Sequence, residues 1–420
     1  MARHKDINVP EIRFKGFAAA WETFELGEIT TKIGSGKTPK GGRSGYLLGG
    51  IPLLRSQNIV KDTVDYKGIV FISDDIDEEM RNSRVLKNDV LLNITGASIG
   101  RSAVYRVDEP ANVNQHVCII RVNQQHHSDF IQLSLTSTRG QKAIDHSQAG
   151  GGREGLNFQQ IGNFSFQFPS RIEQIQISTY FKELDQMIEL HQRKHNKLAK
   201  LKQAMLQKMF TQDGATTPEI RFKGFSEPWS TTTLKGVCEL FTDGDWIESK
   251  DQSSGGLRLI QTGNIGVNQF IDKKDKSKWI SDFTFQELKC KEVFPGDILI
   301  SRLPEPAGRA CIIPLQNDRM ITSVDCSIVR TAEHCDSTFL VQHLALDSYF
   351  KAINNFLAGG TRQRVSRSSL ADFLIQLPSF EEQQKIGTYF RKIDELITRH
   401  ATQLEKIKQI KSTCLGKMSV

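Results

Sequence analysis

Pro10–Phe17 reads PEIRFKGF, and Pro218–Phe225 reads PEIRFKGF again. Eight identical residues twice in a chain of 420 mark an internal duplication. A tryptophan follows each copy, Trp21 and Trp229, at the same offset of 208. The ends of the two halves match as well. Phe168–His191 reads FPSRIEQIQISTYFKELDQMIELH and Leu377–His400 reads LPSFEEQQKIGTYFRKIDELITRH, at an offset of 209. Between these ends the halves diverge, leaving a few anchors. Asn58-Ile59 resembles Asn264-Ile265, Asn88–Leu92 resembles Gly296–Ile300, and Gly100-Arg101 resembles Gly308-Arg309. Ala149-Gly150-Gly151 resembles Ala358-Gly359-Gly360, with Arg153 against Arg362. A shared frame with divergent filling suits two readers of different targets. A plain duplication without division of labour is the bland alternative.

The matching ends continue into long amphipathic patterns. Phe181, Leu184, Ile188, His191, His195, Leu198, Lys202, Met205 and Met209 step by three and four. So do Phe390, Ile393, Ile397, His400, Leu404, Ile407, Lys411, Cys414 and Met418. That is a heptad seam, and no proline falls between Arg171 and Gln212 or between Ser379 and Val420. Each helix then spans roughly 60 Å at 1.5 Å per residue. Each seam needs a partner, and the nearest is the other copy, which predicts an intramolecular coiled coil. An amphipathic helix lying on its own domain is the alternative. The seam histidines read as packing rather than metal ligands. Lys202 and Lys411 are expected near a rod end or reaching to water. Arg193–Lys208 carries six basic residues and no acid, a solvated face or a contact for phosphate or an acidic partner.

Each interior is rich in short strands. Val90–Ile94 and Asp297–Ile300 form one matched pair of buried strands, Val117–Val122 and Ser327–Arg330 another, with one helix per half near Asp129–Ile144 and Ser337–Phe356. The result is two α+β domains. The net charge of +7 and pI near 8.9 permit an anionic partner without requiring one. No apolar run is long enough for a membrane helix and no secretory signal opens the chain, so a cytoplasmic setting is expected. None of the seven cysteines falls in a CxxC pair, which disfavours a zinc site. Gly36-Lys37-Thr38 invites a phosphate-loop reading, but Thr31 stands where its first glycine belongs. Three glycine-rich basic loops recur: Gly34–Gly45, Ala149–Gly155 and Ala358–Ser369. Flexible surface loops are the alternative to a functional role for any one of them.

On these residues the chain resembles the specificity subunit of Type I restriction-modification systems. The resemblance rests on Trp21–Ile29, Ile51–Ile59, Asn88–Arg101, Asn112–Val117, Ala149–Leu156 and the Pro-Ser-x-x-Glu-Gln block, Pro169–Gln174, echoed at Pro378–Gln383. It covers nearly the whole chain. The second half departs from it at Arg302–Pro306, where the first has Thr95–Ser98. The resemblance implies two target-recognition domains, over 1–168 and 213–376, each reading half of a bipartite site in double-stranded DNA. It implies helices over 169–212 and 377–420 packed antiparallel as a ruler. It implies two modification subunits and additional restriction subunits, with S-adenosylmethionine, ATP and Mg on those partners and no cofactor on this chain. It implies no catalysis here; no Asn/Asp-Pro-Pro-Tyr/Phe tetrapeptide is present. Candidate base readers are Arg55, Gln57, Asn58, Asn114, Gln115, Gln261, Asn264, Arg302, Gln363 and Arg364. Candidate phosphate binders are Lys37, Lys40, Arg43, Arg101, Arg153, Arg309, Arg362 and Arg367.

Overall fold

A computed structural model describes residues 9–39, 42–148, 155–212, 214–358 and 363–418. The chain forms two compact units: Met1–His191 with Gln403–Val420, and Gln192–Thr402. Lys40, Arg153 and Arg362 lie outside the described residues, as does the side chain of Arg43.

In unit 1, Val90–Asn93 is buried at all four positions, because both faces of its sheet are covered. Val90 and Leu92 join Cys118 and Ile120 in a core shared with Phe130, Ile131, Phe181 and Leu184 from helices. Leu91, Val117 and Ile119 point the other way, into a second core with Leu54 and Val113. The first sheet is antiparallel, in the order Thr30–Ser35, Val117–Val122, Val90–Asn93, Ser102–Val104. The second runs Val70–Ile72, Ile51–Leu54, Ala111–Val113, Arg84–Val85, and its two central strands are parallel. Unit 2 repeats the plan. Cys238–Asp243, Cys326–Thr331, Ile298–Ser301 and Ala310–Ile312 form the first sheet. The second contains Leu257–Ile260 parallel to Met320–Thr322. The two matched pairs of strands read from the sequence are therefore present.

The anchors shared by the halves hold this frame. Asn88 and Gly296 both have positive φ, 71° and 94°, a conformation open to asparagine and glycine. The aspartate after each takes both carboxylate oxygens to one arginine: Asp89 to Arg121 and Asp297 to Arg330, all at 2.8 Å. The single helix expected near the end of each half is two helices. Ser128–Thr136 and Thr138–Gln148 meet at Ser137, whose Oγ caps the second by accepting from Gly140 N at 3.1 Å. Ser337–His343 and Asp347–Asn355 are broken around the extended Leu346.

The long helices are Arg171–Met209 and Phe380–Met418, each of 39 residues. Every seam position is buried or half-buried. Unit 1 pairs the start of the first with the end of the second: Lys411 Nζ meets Asp185 Oδ1 at 2.6 Å, and Tyr180 Oη lies 3.8 Å from Cys414 Sγ. Unit 2 pairs the remaining halves, with Lys202 Nζ on Asp394 Oδ1 at 2.6 Å. Numbering falls on one helix as it rises on the other, so the pairing is antiparallel. The two seam lysines each lie seven residues before a helix end, as one of the two expectations had it, and there they are cross-helix partners of aspartates rather than reaching to water.

The duplicated octapeptide fastens each unit to its helices. Arg13 clamps the buried Glu173 with Nε and Nη2, both at 2.7 Å, and Phe14 packs edge-on against Tyr180. Arg221 does the same to Glu382 at 2.9 and 2.7 Å, with Phe222 against Tyr389. Ile12 N donates to Lys417 O and Ile220 N to Lys208 O, so each copy also holds the end of the opposite helix.

Candidate nucleic-acid interface

The parallel strand pair of each unit ends on one side, and there the two halves carry different side chains. In unit 1 these are the ends of Ile51–Leu54 and Ala111–Val113, joined where Asn114 N donates to Leu54 O at 3.1 Å. In unit 2, Ser323 N donates to Ile260 O at 3.1 Å in the same way. A third segment reaches this edge through a glycine. A Cβ on Gly36 would lie 1.5 Å from Val113 O, and one on Gly244 would lie 2.3 Å from Thr322 O, so only glycine fits. That contact accounts for the glycine of the false phosphate loop.

The side chains at matching positions form unlike clusters. In unit 1 Thr38, Gln115, His116 and Thr95 are linked by hydrogen bonds, with Lys37 and Arg55 beside them on the same edge. Thr38 Oγ1 donates to Gln115 Oε1 at 2.5 Å, and Gln115 Nε2 donates to His116 Nε2 at 3.1 Å. His116 Nδ1 then faces Thr95 Oγ1 at 2.5 Å. With Nε2 accepting, the ring proton sits on Nδ1 and donates to the threonine. In unit 2 the cluster is charged. Asp243 faces Arg302 at 3.5 Å and Arg367 at 3.9 Å, and Asp325 pairs with Arg364 at 3.3 Å. Arg302 is enclosed, 6% exposed; its Nη2 donates to Val324 O at 2.7 Å, while its buried Nε has no hydrogen-bond partner. Burial pushes its guanidinium below the usual range, against the pull of Asp243.

Several sequence candidates have structural duties instead. Asn58 is fully buried; its Oδ1 accepts from Arg55 N and its Nδ2 donates to Asp65 O. Asn264 makes the same two bonds, to Gln261 N and Ile271 O. Both shape a turn, so their reading as base contacts is corrected. Arg309 is also corrected. Its guanidinium donates to the carbonyls of Ile265, Leu303, Pro306 and Thr262 at 2.7–3.0 Å, tying the turn at 262–265 to the loop at 303–306. Arg302 is too enclosed to reach a base. Asn114 is 8% exposed and holds His116 N through its Oδ1. Arg55 is half-buried, its Nη2 on Gly68 O at 2.9 Å and its guanidinium 5.7 Å from the Tyr46 ring. Lys37, Gln57, Arg101, Gln115, Gln363, Arg364 and Arg367 are exposed. Gln261 is half-buried beside a cleft of about 530 Å³ that Lys273, Lys276 and Lys278 also line.

Sequence reasoning missed that lysine run, although Lys273, Lys274, Lys276 and Lys278 stand within six residues. It missed Thr38, Asp243 and Trp246, which align only through Gly36 and Gly244, and it gave no role to Thr95, His116 and Asp325.

The family described as the Type I restriction modification DNA specificity domain matches the chain twice, over residues 19–200 and 226–409. The MjaVIII type I restriction enzyme specificity subunit of Methanocaldococcus jannaschii is 21% identical over 426 residues, covering 99% of this chain and 96% of that one. The Escherichia coli EcoBI specificity subunit is 33% identical over 131 residues, 30% of this chain and 27% of that one. The crystal structure of the type I system S subunit from M. genitalium shares the fold, with a TM-score of 0.63 at 14% identity, covering 98% of this chain and 99% of that one.

Proposed function

Because the chain belongs to the Type I restriction-modification DNA specificity family and carries its domain twice, we propose that each unit reads one half of a bipartite DNA site. The chain is a specificity subunit, a recognition protein without catalysis of its own. The observation that carries the proposal is the substitution of chemistry on a constant edge. Lys37, Thr38, Arg55, Gln115 and His116 in unit 1 stand where unit 2 has Asp245, Trp246, Gln261, Val324 and Asp325. Different donors and acceptors on one scaffold select different base pairs. Lys37 and Arg101 in unit 1, and Arg364, Arg367 and the Lys273–Lys278 run in unit 2, supply cations for phosphate.

The helices are the ruler in this reading, setting the spacer between half-sites. Met187, Leu190, Leu201, Leu396 and Ile410 lie off the seam and are exposed, which supports docking of two modification subunits along the pair. Restriction subunits join that assembly, and S-adenosylmethionine, ATP and Mg belong to the partners. Among the described residues no helix is long and apolar enough to cross a membrane; a cytoplasmic setting is part of the proposal. Methylome sequencing of cells carrying this chain with its modification subunit tests it. A methylated motif split by a fixed spacer is expected; a continuous motif, or none, overturns the proposal.

A further inference from the structure

We propose that Trp246 is a specificity residue of unit 2, packing its indole against the 5-methyl group of a thymine in the second half-site. The inference rests on the proposed reading of a bipartite site and adds a base identity to it. Trp246 is 69% exposed, whereas Trp21 and Trp229 are at most 4% exposed. Leaving so large an apolar surface in water is unfavourable unless a partner covers it.

The indole stands on a fixed stem. Gly244 N donates to Cys326 O at 2.9 Å, Asp245 N to Thr322 O at 2.9 Å, and Lys291 N to Asp245 Oδ2 at 2.7 Å. Its ring nitrogen donates to Glu248 Oε1 at 3.3 Å, which sets the ring orientation and leaves its carbon face open. The loop is acidic in sequence but not in effect. Asp243 faces Arg302 and Arg367, Asp245 lies 3.5 Å from Lys291, and Glu248 lies 3.0 Å from Lys250. Such a loop neither grips nor repels phosphate. What it offers to DNA is an apolar plate, at the position where unit 1 places Thr38. In the major groove the apolar feature of a base pair is the thymine methyl.

The test uses the chain assembled with its modification subunit. Duplexes carry the methylated motif with each thymine of the second half-site replaced in turn by uracil, which removes only the methyl. One such replacement should weaken wild-type binding about fourfold, the worth of one buried methyl group. The same duplex should bind W246A no more weakly than its thymine parent. W246A should lose roughly 10- to 100-fold on the parent site and relax one position of the second half-site, leaving the first half-site unchanged. Indole emission should change on binding in the wild type and not in W246F. The proposal is overturned if no uracil position separates wild type from W246A, or if W246A keeps its affinity within twofold. Loss of subunit assembly with base preference intact overturns it in favour of a protein contact. If the wild-type complex recognises no split motif, the underlying reading falls instead, and methylome sequencing shows that separately.

Discussion

At the residue scale, the amide of Asn264 is spent before DNA arrives, and so is the guanidinium of Arg309. Asn264→Ala should therefore cost about 1–3 kcal/mol of stability rather than relax one base position, as denaturant unfolding and a motif screen would show. Arg13→Met strands the buried Glu173 and should cost about 3–5 kcal/mol, while Arg13→Met with Glu173→Met should recover most of that loss. His343 in unit 2 gives a pH signature. Burial pushes its imidazole down to about 4, and its Nε2 accepts from Gln376 N at 3.4 Å. The unfolded chain takes the proton first, near 6.5, so its contribution is complete above pH 6.5 and is lost as pH falls toward 4. The slope is on the order of 1.4 kcal/mol per pH unit in that window. His343→Gln should flatten it in denaturation midpoints measured between pH 7.5 and 4.5. The octapeptide was legible as a repeat, but its purpose was not, because Glu173 stands 160 residues from Arg13. Nor could sequence separate Arg364, which is exposed, from Arg302, which is enclosed. Both are arginines in polar loops, and only the packing distinguishes them.

At the element scale, the long helices were readable because a seam stepping by three and four survives over about eight turns. The lysines in that seam were not, since their partners lie on the other helix at positions no periodicity names. Lys202 and Lys411 are equivalent residues, as are Asp394 and Asp185, so one cross-helix pair is built twice. In unit 2, Asp394 also accepts from Gln342 Nε2 at 3.0 Å, which ties the helix pair to the domain. A double-mutant cycle with Lys202→Met and Asp394→Asn should show coupling of about 0.5–3 kcal/mol. The cycle on Lys411 and Asp185 should give less, because the Asp185 side chain is 44% exposed against 28% for Asp394. Equal couplings would mean that burial does not govern these pairs. The strands were legible through their unbroken apolar runs, which a sheet covered on both faces demands. The break at Ser137 was not, because Thr-Ser-Thr interrupts a helix only once the serine turns to cap the next one.

At the scale of the whole molecule, each long helix begins in one unit and ends in the other. If the pair is the ruler, seven residues inserted after Leu198 and seven after Thr398 keep the seam in register and add about 10 Å. The methylated motif should then gain roughly three base pairs of spacer with both half-sites unchanged, which methylome sequencing would read. An unchanged spacer would remove the ruler. An insertion in one helix alone cannot keep both Lys202–Asp394 and Lys411–Asp185 in register and should destabilise the protein. A division drawn along the sequence could not express that unit 1 closes its core with Ile407 and Met418. That arrangement bears on biosynthesis. The ribosome releases the amino-terminal strands first, yet they receive their last packing partners only when the final turns of the second helix emerge. Unit 2 has its own residues in hand some way earlier. Stalled nascent chains carrying residues up to Thr402, followed by a flexible linker long enough to clear the ribosomal exit tunnel, should thus protect the later-made unit from protease while the earlier-made one is still cut, so the half that is born first matures last.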